Sequence, residues 1–223
     1  MRADSPATFT LAEEFFLIAH DDHTGHALLD ADSLAAGLAG AVLAGLVLAG
    51  RITIAEGQVT LQDERATGDP IGDPLLVALR RQSDQRTVDA WLDELRDGLT
   101  TTVAEDLAAR GLIRPVLARH PLVHRRRVRY PAVDAARAVA PRARLGSALG
   151  RAAPVDGRTA VLAEIVRATG LARWFIDVYG PSVRDQLARV RKQVPASVQT
   201  LAAAIERRSR LRWSSVLRRH IAA

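Results

Sequence analysis

The chain has 223 residues, enough for one large domain or two small ones. Hydrophobic residues make up 48% of it, ample for a core, and it has no cysteine, which excludes disulfides, a thiol nucleophile and thiolate-held metal. The formal net charge is +6 and Lys192 is the only lysine, so the positive charge is nearly all arginine. That charge favours anionic partners: phospholipid headgroups, nucleic acid or an acidic protein. Aromatic content of 4% argues against base-stacking modules for single-stranded nucleic acid. The opening MRADSPATFTLAEEF lacks the basic and apolar regions of a signal peptide, so a cytoplasmic protein is expected.

Residues 1–9 read as disordered and residues 10–221 as a single domain. Thr10 caps a helix over Leu11–Ala19, and Glu13 completes a capping box. Leu11, Phe15 and Ile18 share a face that Phe16 and Leu17 widen. The polar loop HDDHTGH follows. Its His20, His23 and His26, with Asp21 and Asp22, look like a metal cluster, but histidines at i, i+3 and i+6 in a Gly-containing loop match no zinc spacing. A solvated loop explains them better, and no metal site is assigned.

Leu34–Ala49 is the stretch around which the chain is organised. It has sixteen residues without a charge or a polar side chain. Asp30 and Asp32 before it, and Gly50 and Arg51 after it, complement a helix dipole. Being apolar on every face, such a helix must be surrounded. At about 1.5 Å per residue it reaches ~24 Å of a ~30 Å hydrocarbon core, so a buried core helix is expected rather than a membrane span. Small residues four apart, such as Ala36 and Gly40 or Gly37 and Ala41, let neighbouring helices approach.

Ile52 and Ile54, then Val59 and Leu61, alternate with polar residues around Ala55-Glu56-Gly57, which predicts a β-hairpin. A helix followed by a hairpin resembles a winged-helix unit. DNA binding through it needs a basic recognition helix, and the helix before this hairpin is uncharged. ATGDPIGDP is a turn segment with no Gly-rich phosphate cradle around Thr67, Gly68 and Asp69. Pro74 opens a helix to Arg81, Thr87 caps VDAWLDEL, and Thr100–Arg110 forms another that Gly111 stops. No nucleophile elbow or Ser/His/Asp signature appears, and the capping box accounts for Glu13 beside Glu14. No catalytic residue, cofactor or enzyme activity is assigned.

Residues 112–130, LIRPVLARHPLVHRRRVRY, carry the densest charge. Val116–Ala118 and Val128–Tyr130 are expected to pair as strands across a loop. Arg119, His120, His124, Arg125, Arg126, Arg127 and Arg129 lie here without an acidic residue. Four arginines in five residues repel one another unless an anion is present. Near an anionic membrane each can contribute about 1 kcal/mol. Leu122 and Val123 could dip into the interface beside them. Beyond, an Ala- and Arg-rich stretch over 133–152 is interrupted by Pro141. Asp156 caps Thr159–Thr169, and Leu171–Tyr179 continues with Trp174, Phe175 and Val178. Ser182 starts a basic helix to Val194, and Pro195 starts the last. Arg207, Arg208, Arg210, Arg212, Arg218 and Arg219 form a second basic surface there.

The order of LAEEFFLIA, the Asp21–Gly25 loop, GLAGAVLAGLVLAGRI, ATGDP, TVDAWLDEL and VAEDLAARGLI resembles the Golgi phosphoprotein 3 family. The likeness is strong from Leu11 to about Ile113 and fainter beyond, where GRTAVLAEIVRATGL is similar to the family's second core helix. It implies a mainly α fold: a helical core bundle wrapped by amphipathic helices, with a protruding β-hairpin corresponding to residues 112–130. It also implies a peripheral membrane adaptor rather than an enzyme. Eukaryotic members bind phosphatidylinositol 4-phosphate and hold glycosyltransferase tails, and their hairpin aids membrane contact and self-association. The family's headgroup pocket uses a Trp, an Arg and two further basic residues. The aligned positions here are Asp30, Ala39, Asp97 and Thr100, with Arg96 the nearest base.

The expectation is therefore a peripheral protein on an anionic phospholipid surface. Arg96, Arg119, Arg125, Arg126, Arg127 and Arg129 are the expected lipid-binding residues, and Leu122 and Val123 the membrane contacts. A homo-oligomer through the hairpin fits the resemblance; nucleic acid does not fit the sequence. The alternative is a soluble interaction adaptor that holds an acidic protein tail without lipid contact.

Overall fold

Thr10 and Glu13 set the start of the first helix. In the computed structural model, which describes residues 9–81, 86–118, 127–151 and 154–221, the Thr10 hydroxyl accepts from the Glu13 N–H and the Glu13 carboxylate accepts from the Thr10 N–H at 2.7 Å. The side chains of residue 118, residue 127 and residues 210–221 lie outside that description. This reciprocal cap opens α1 (Leu11–Ile18), every residue of which is buried. The disorder expected of residues 1–8 lies outside the described residues. Phe9 does not share in it: its carbonyl accepts from Arg158, and its ring lies 5.3 Å from the Arg110 guanidinium.

Asp30 caps α2 (Ala31–Leu48), accepting from the N–H groups of Asp32 and Ser33. The helix thus starts before the uncharged run. Thirteen of its residues are buried, packed by α1 and by helices from the second half of the chain. Two glycines make that closeness possible. A Cβ at Gly37 would lie 2.3 Å from the Phe15 ring, and one at Gly40 2.3 Å from Ile205. By length and composition α2 could cross a membrane, yet 72% of it is buried by the protein's own helices. Its two ends, Ala31 and Leu48, reach the surface.

β1 (Ile52–Ala55) and β2 (Gln58–Leu61) pair antiparallel around Glu56 and Gly57. Both turn residues have positive φ, 52° and 77°, as a two-residue hairpin turn requires. α3 (Gly72–Arg81) begins two residues before Pro74. β3 (Arg86–Thr87), which the sequence does not signal, adds to β2. Thr87 caps α4 (Val88–Leu95), and α5 (Leu99–Ala109) stops before Gly111 at φ 70°. β4 (Val116–Ala118) and β5 (Arg127–Arg129) form a second antiparallel pair.

α6 (Ala135–Gly150) runs unbroken through Pro141, against the expected interruption. A proline removes one backbone bond from a helix interior. Here the neighbouring Arg142 clamps the helix onto the end of α1, which holds the turn in place. Asp156 caps α7 (Gly157–Ala168) through the Thr159 N–H, and α8 (Ala172–Tyr179) follows Gly170. On α8, Phe175 is buried, but Val178, expected to join it, is exposed. α9 (Ser182–Arg191) and α10 (Ala196–Ile221) complete the described chain. One hydrophobic core extends from Leu11 to Ile205. The fold is mainly α, a helical bundle around α2 with a small three-stranded antiparallel sheet, β1-β2-β3, and the two-stranded β4-β5 pair.

Candidate functional site

The basic segment leaves the core as the β4–β5 stem. Its register pairs Val116 with Arg129, Leu117 with Val128 and Ala118 with Arg127. β5 thus runs one residue earlier than the expected Val128–Tyr130. Tyr130 is released from the ladder to lock the stem to the core. Its ring meets Phe16 and His20 edge-on, at 5.3 and 5.4 Å, and its N–H donates to the Gly25 carbonyl at 2.9 Å. Two residues on, the Ala132 N–H donates to the Asp22 carbonyl, also at 2.9 Å.

The Asp21–Gly25 loop is therefore the socket of the hairpin. The Asp21 carboxylate accepts from the Thr24 N–H at 2.8 Å and from its hydroxyl at 2.7 Å. These bonds hold the Asp21 carboxyl below the usual range. Gly25 then lies against the stem backbone at φ 69°, where a Cβ would come within 2.2 Å of the Pro131 nitrogen. Only a residue without a side chain admits that approach.

Arg142 braces the socket from behind. Its guanidinium donates to the carbonyls of Leu17 at 3.0 Å, Ile18 at 3.2 Å and His20, and to the Asp22 carboxylate at 2.8 Å. It thereby satisfies the orphan carbonyls at the end of α1. The Trp174 ring lies 5.1 Å from it. Burial pushes the Asp22 carboxyl up, while Arg142 pulls it down. Sequence reasoning missed Arg142, since nothing distinguishes it among the other arginines of α6.

His20 is an element of this packing. Its ring stacks on Phe16 at 4.1 Å, and its Nδ1 lies 2.8 Å from the Phe16 carbonyl, which fixes Nδ1 as the donor. Burial lowers its pKa to about 4, so the ring is neutral. His23 and His26 are exposed, and among the described residues no three metal-ligating side chains converge. Glu13 and Glu14 are not free acids either. Glu13 pairs with Arg110, and Glu14 with Arg144 and Arg158.

Of the expected lipid-binding residues, Arg119, Arg125 and Arg126 lie outside the described residues, as do Leu122 and Val123, and so does the side chain of Arg127. Arg129 is described: it is half-buried in the stem, and its Nε is buried without a hydrogen-bond partner. Arg114, which sequence reasoning did not single out, is exposed beside it where the stem begins. Neither forms an ion pair among the described residues. The stem also exposes apolar surface: Leu117 is 65% exposed, its cross-strand partner Val128 42%, and Val133 61%.

Arg96 is unlike these. It is bonded to Asp32 at the start of α2, so the chain's own carboxylate matches its charge. Around it, Asp30 is a helix cap and Ala39 is fully buried, while Asp97 is exposed and Thr100 half-buried. No cation stands at those four positions. The second basic surface expected at the C-terminus is also matched in its described part. Arg207 pairs with Asp89 at 2.8 Å, and Arg208 with Asp89 and Asp93, stapling α10 to α4. The side chains of Arg210, Arg212, Arg218 and Arg219 lie outside the described residues.

No curated protein matches the chain. A family model described as Golgi phosphoprotein 3 (GPP34) matches residues 11–209, which include α1, the Asp21–Gly25 socket, α2 and the hairpin stem. The chain belongs to the Golgi phosphoprotein 3 family.

Proposed function

We propose that this protein binds anionic phospholipid membranes peripherally, with the 112–130 hairpin as the contact, and that it is a binding protein rather than an enzyme. The observation that carries the reading is the stem. Arg114 and Arg129 are unmatched by carboxylates among the described residues, and Leu117, Val128 and Val133 are exposed beside them. The loop between the strands adds Arg119, Arg125 and Arg126, and no acid. Cations near an anionic bilayer contribute about 1 kcal/mol each, and shallow apolar insertion supplies the second signal that stable anchoring needs. A cytoplasmic location with reversible membrane attachment follows from this mode.

The ligand in this reading is negative headgroup charge in general. Selectivity for phosphatidylinositol 4-phosphate, which the family resemblance implies, has no support from Asp30, Ala39, Asp97 or Thr100, and Arg96 is occupied by Asp32. The apolar strip on the stem favours self-association there, which would raise avidity on a surface.

Sedimentation with phosphatidylserine vesicles at low salt tests the reading. Wild-type protein should sediment with the vesicles, and the Arg125→Ala, Arg126→Ala, Arg127→Ala triple variant should stay in solution. Equal sedimentation of the two overturns the hairpin assignment. A wild-type protein that ignores the vesicles but holds an acidic peptide would instead make it a soluble adaptor.

A further inference from the structure

Away from the hairpin stem, α7, α8, α9 and α10 enclose an open cleft of about 730 Å³. That volume lies within the roughly 300–1,000 Å³ of small-molecule sites. One face of α9 forms much of it. Arg184, Leu187, Ala188 and Arg191 recur at spacings of three, one and three residues, so they share a side of the helix. Leu187 and Ala188 make an apolar middle between two guanidinium groups, and Ala172 and Ile176 of α8 continue the apolar floor. Arg167 and Lys192 add two more cations to the wall, and no carboxylate lines it.

These cations are unequally matched. Arg167 is held by Glu164 at 2.8 Å and by Glu206 at 3.0 Å. Arg191 has only a 3.8 Å approach to Glu164, which Arg167 already engages. Arg184 and Lys192 form no ion pair among the described residues. Four cations thus face two acids, and the two unmatched ones stand at the cleft wall. A bare anion would satisfy the charge but leave the half-buried Ile176 and the exposed Ala188, which lie over the buried Ala172 and Leu187, in contact with water. A neutral apolar ligand would cover the floor but desolvate the cations without a partner.

We infer that this cleft binds a single-chain amphiphile with an anionic head, phosphate or carboxylate. The head meets Arg184, Arg191 and Lys192, and the tail lies along the α8–α9 floor. This site is separate from the hairpin contact and does not depend on it.

Isothermal titration of the full chain with dodecyl phosphate, kept below its micelle concentration, tests the inference. Dodecyl phosphate should bind more tightly than either inorganic phosphate or the uncharged octyl glucoside. Arg184→Ala with Lys192→Ala should weaken it roughly tenfold, from the loss of two solvent-exposed ionic contacts. Ala188→Trp, a filling change at an exposed position, should abolish it, with circular dichroism confirming the fold. The hairpin triple variant should bind it as wild type does. The inference fails if inorganic phosphate binds as tightly, if octyl glucoside does, or if neither cleft variant weakens binding. It also fails if the cleft variants lose only binding to phosphatidic acid vesicles, because the cleft would then be a bilayer contact. Should Ala188→Trp misfold, the Arg184/Lys192 variant decides alone, since both side chains are exposed.

Discussion

Gly25→Ala should undo the socket that holds the hairpin. The residue sits at φ 69°, where an L side chain costs about 1–2 kcal/mol. Its new Cβ would lie 2.2 Å from the Pro131 nitrogen and 2.4 Å from two backbone atoms of Tyr130. Backbone cannot swing aside as a side-chain tip can, so the stem must move bodily, at an overpacking cost of about 1–3 kcal/mol. The expected loss is therefore about 2–5 kcal/mol, a large part of an ordinary domain's stability. Gly111→Ala separates the two contributions. Gly111 has nearly the same φ, 70°, but nothing lies within 4 Å of its Cβ position. It should lose only the conformational part, about 1–2 kcal/mol. Urea unfolding of both variants beside wild type reads the difference. Equal losses would mean that the Asp21–Gly25 loop does not clamp the hairpin.

Arg142→Ala should cost about 3–5 kcal/mol in the same assay, because it strands the half-buried Asp22 carboxylate and the buried carbonyls at the end of α1; a loss below about 1 kcal/mol would contradict the brace. Glu13 gives a pH signature. Burial, helped by a hydrogen bond with Asp106, raises its pKa from 4.5 to about 7 against the pull of Arg110. The folded chain then keeps a proton that the unfolded chain releases, so this stability is complete below pH 4.5 and is lost as pH rises through 7. His20 acts in the opposite sense, since its lowered pKa of about 4 withdraws stability as pH falls from 6.5. Melting temperatures of wild type and Glu13→Gln across this range should therefore converge at acid pH, with wild type falling faster towards neutrality; parallel curves would refute the Glu13 assignment.

Local signals in the sequence carried far into the fold. Thr10 with Glu13, Thr87 and Asp156 announce helix starts because a cap is read from a few neighbouring residues. The uncharged run of α2 announces the core because no exposed helix could tolerate it. Long-range matches were not legible. Nothing local marks Arg142 as the brace of α1, Arg96 as the partner of Asp32, or Arg207 and Arg208 as staples onto α4. In a chain with so many arginines, charge density alone does not separate a matched cation from a free one. The stem register escaped for a similar reason: Tyr130 leaves the ladder to meet Phe16 and His20, a contact made over a hundred residues apart in the chain.

The most direct measurement is vesicle flotation of wild-type protein and the hairpin triple variant while the anionic lipid fraction and the salt concentration are varied. Wild type should float increasingly with anionic fraction, release as salt rises, and respond to headgroup charge rather than headgroup identity. The triple variant should stay at the bottom throughout. Flotation that ignores salt, or that persists unchanged in the triple variant, would contradict a membrane contact made by the hairpin arginines.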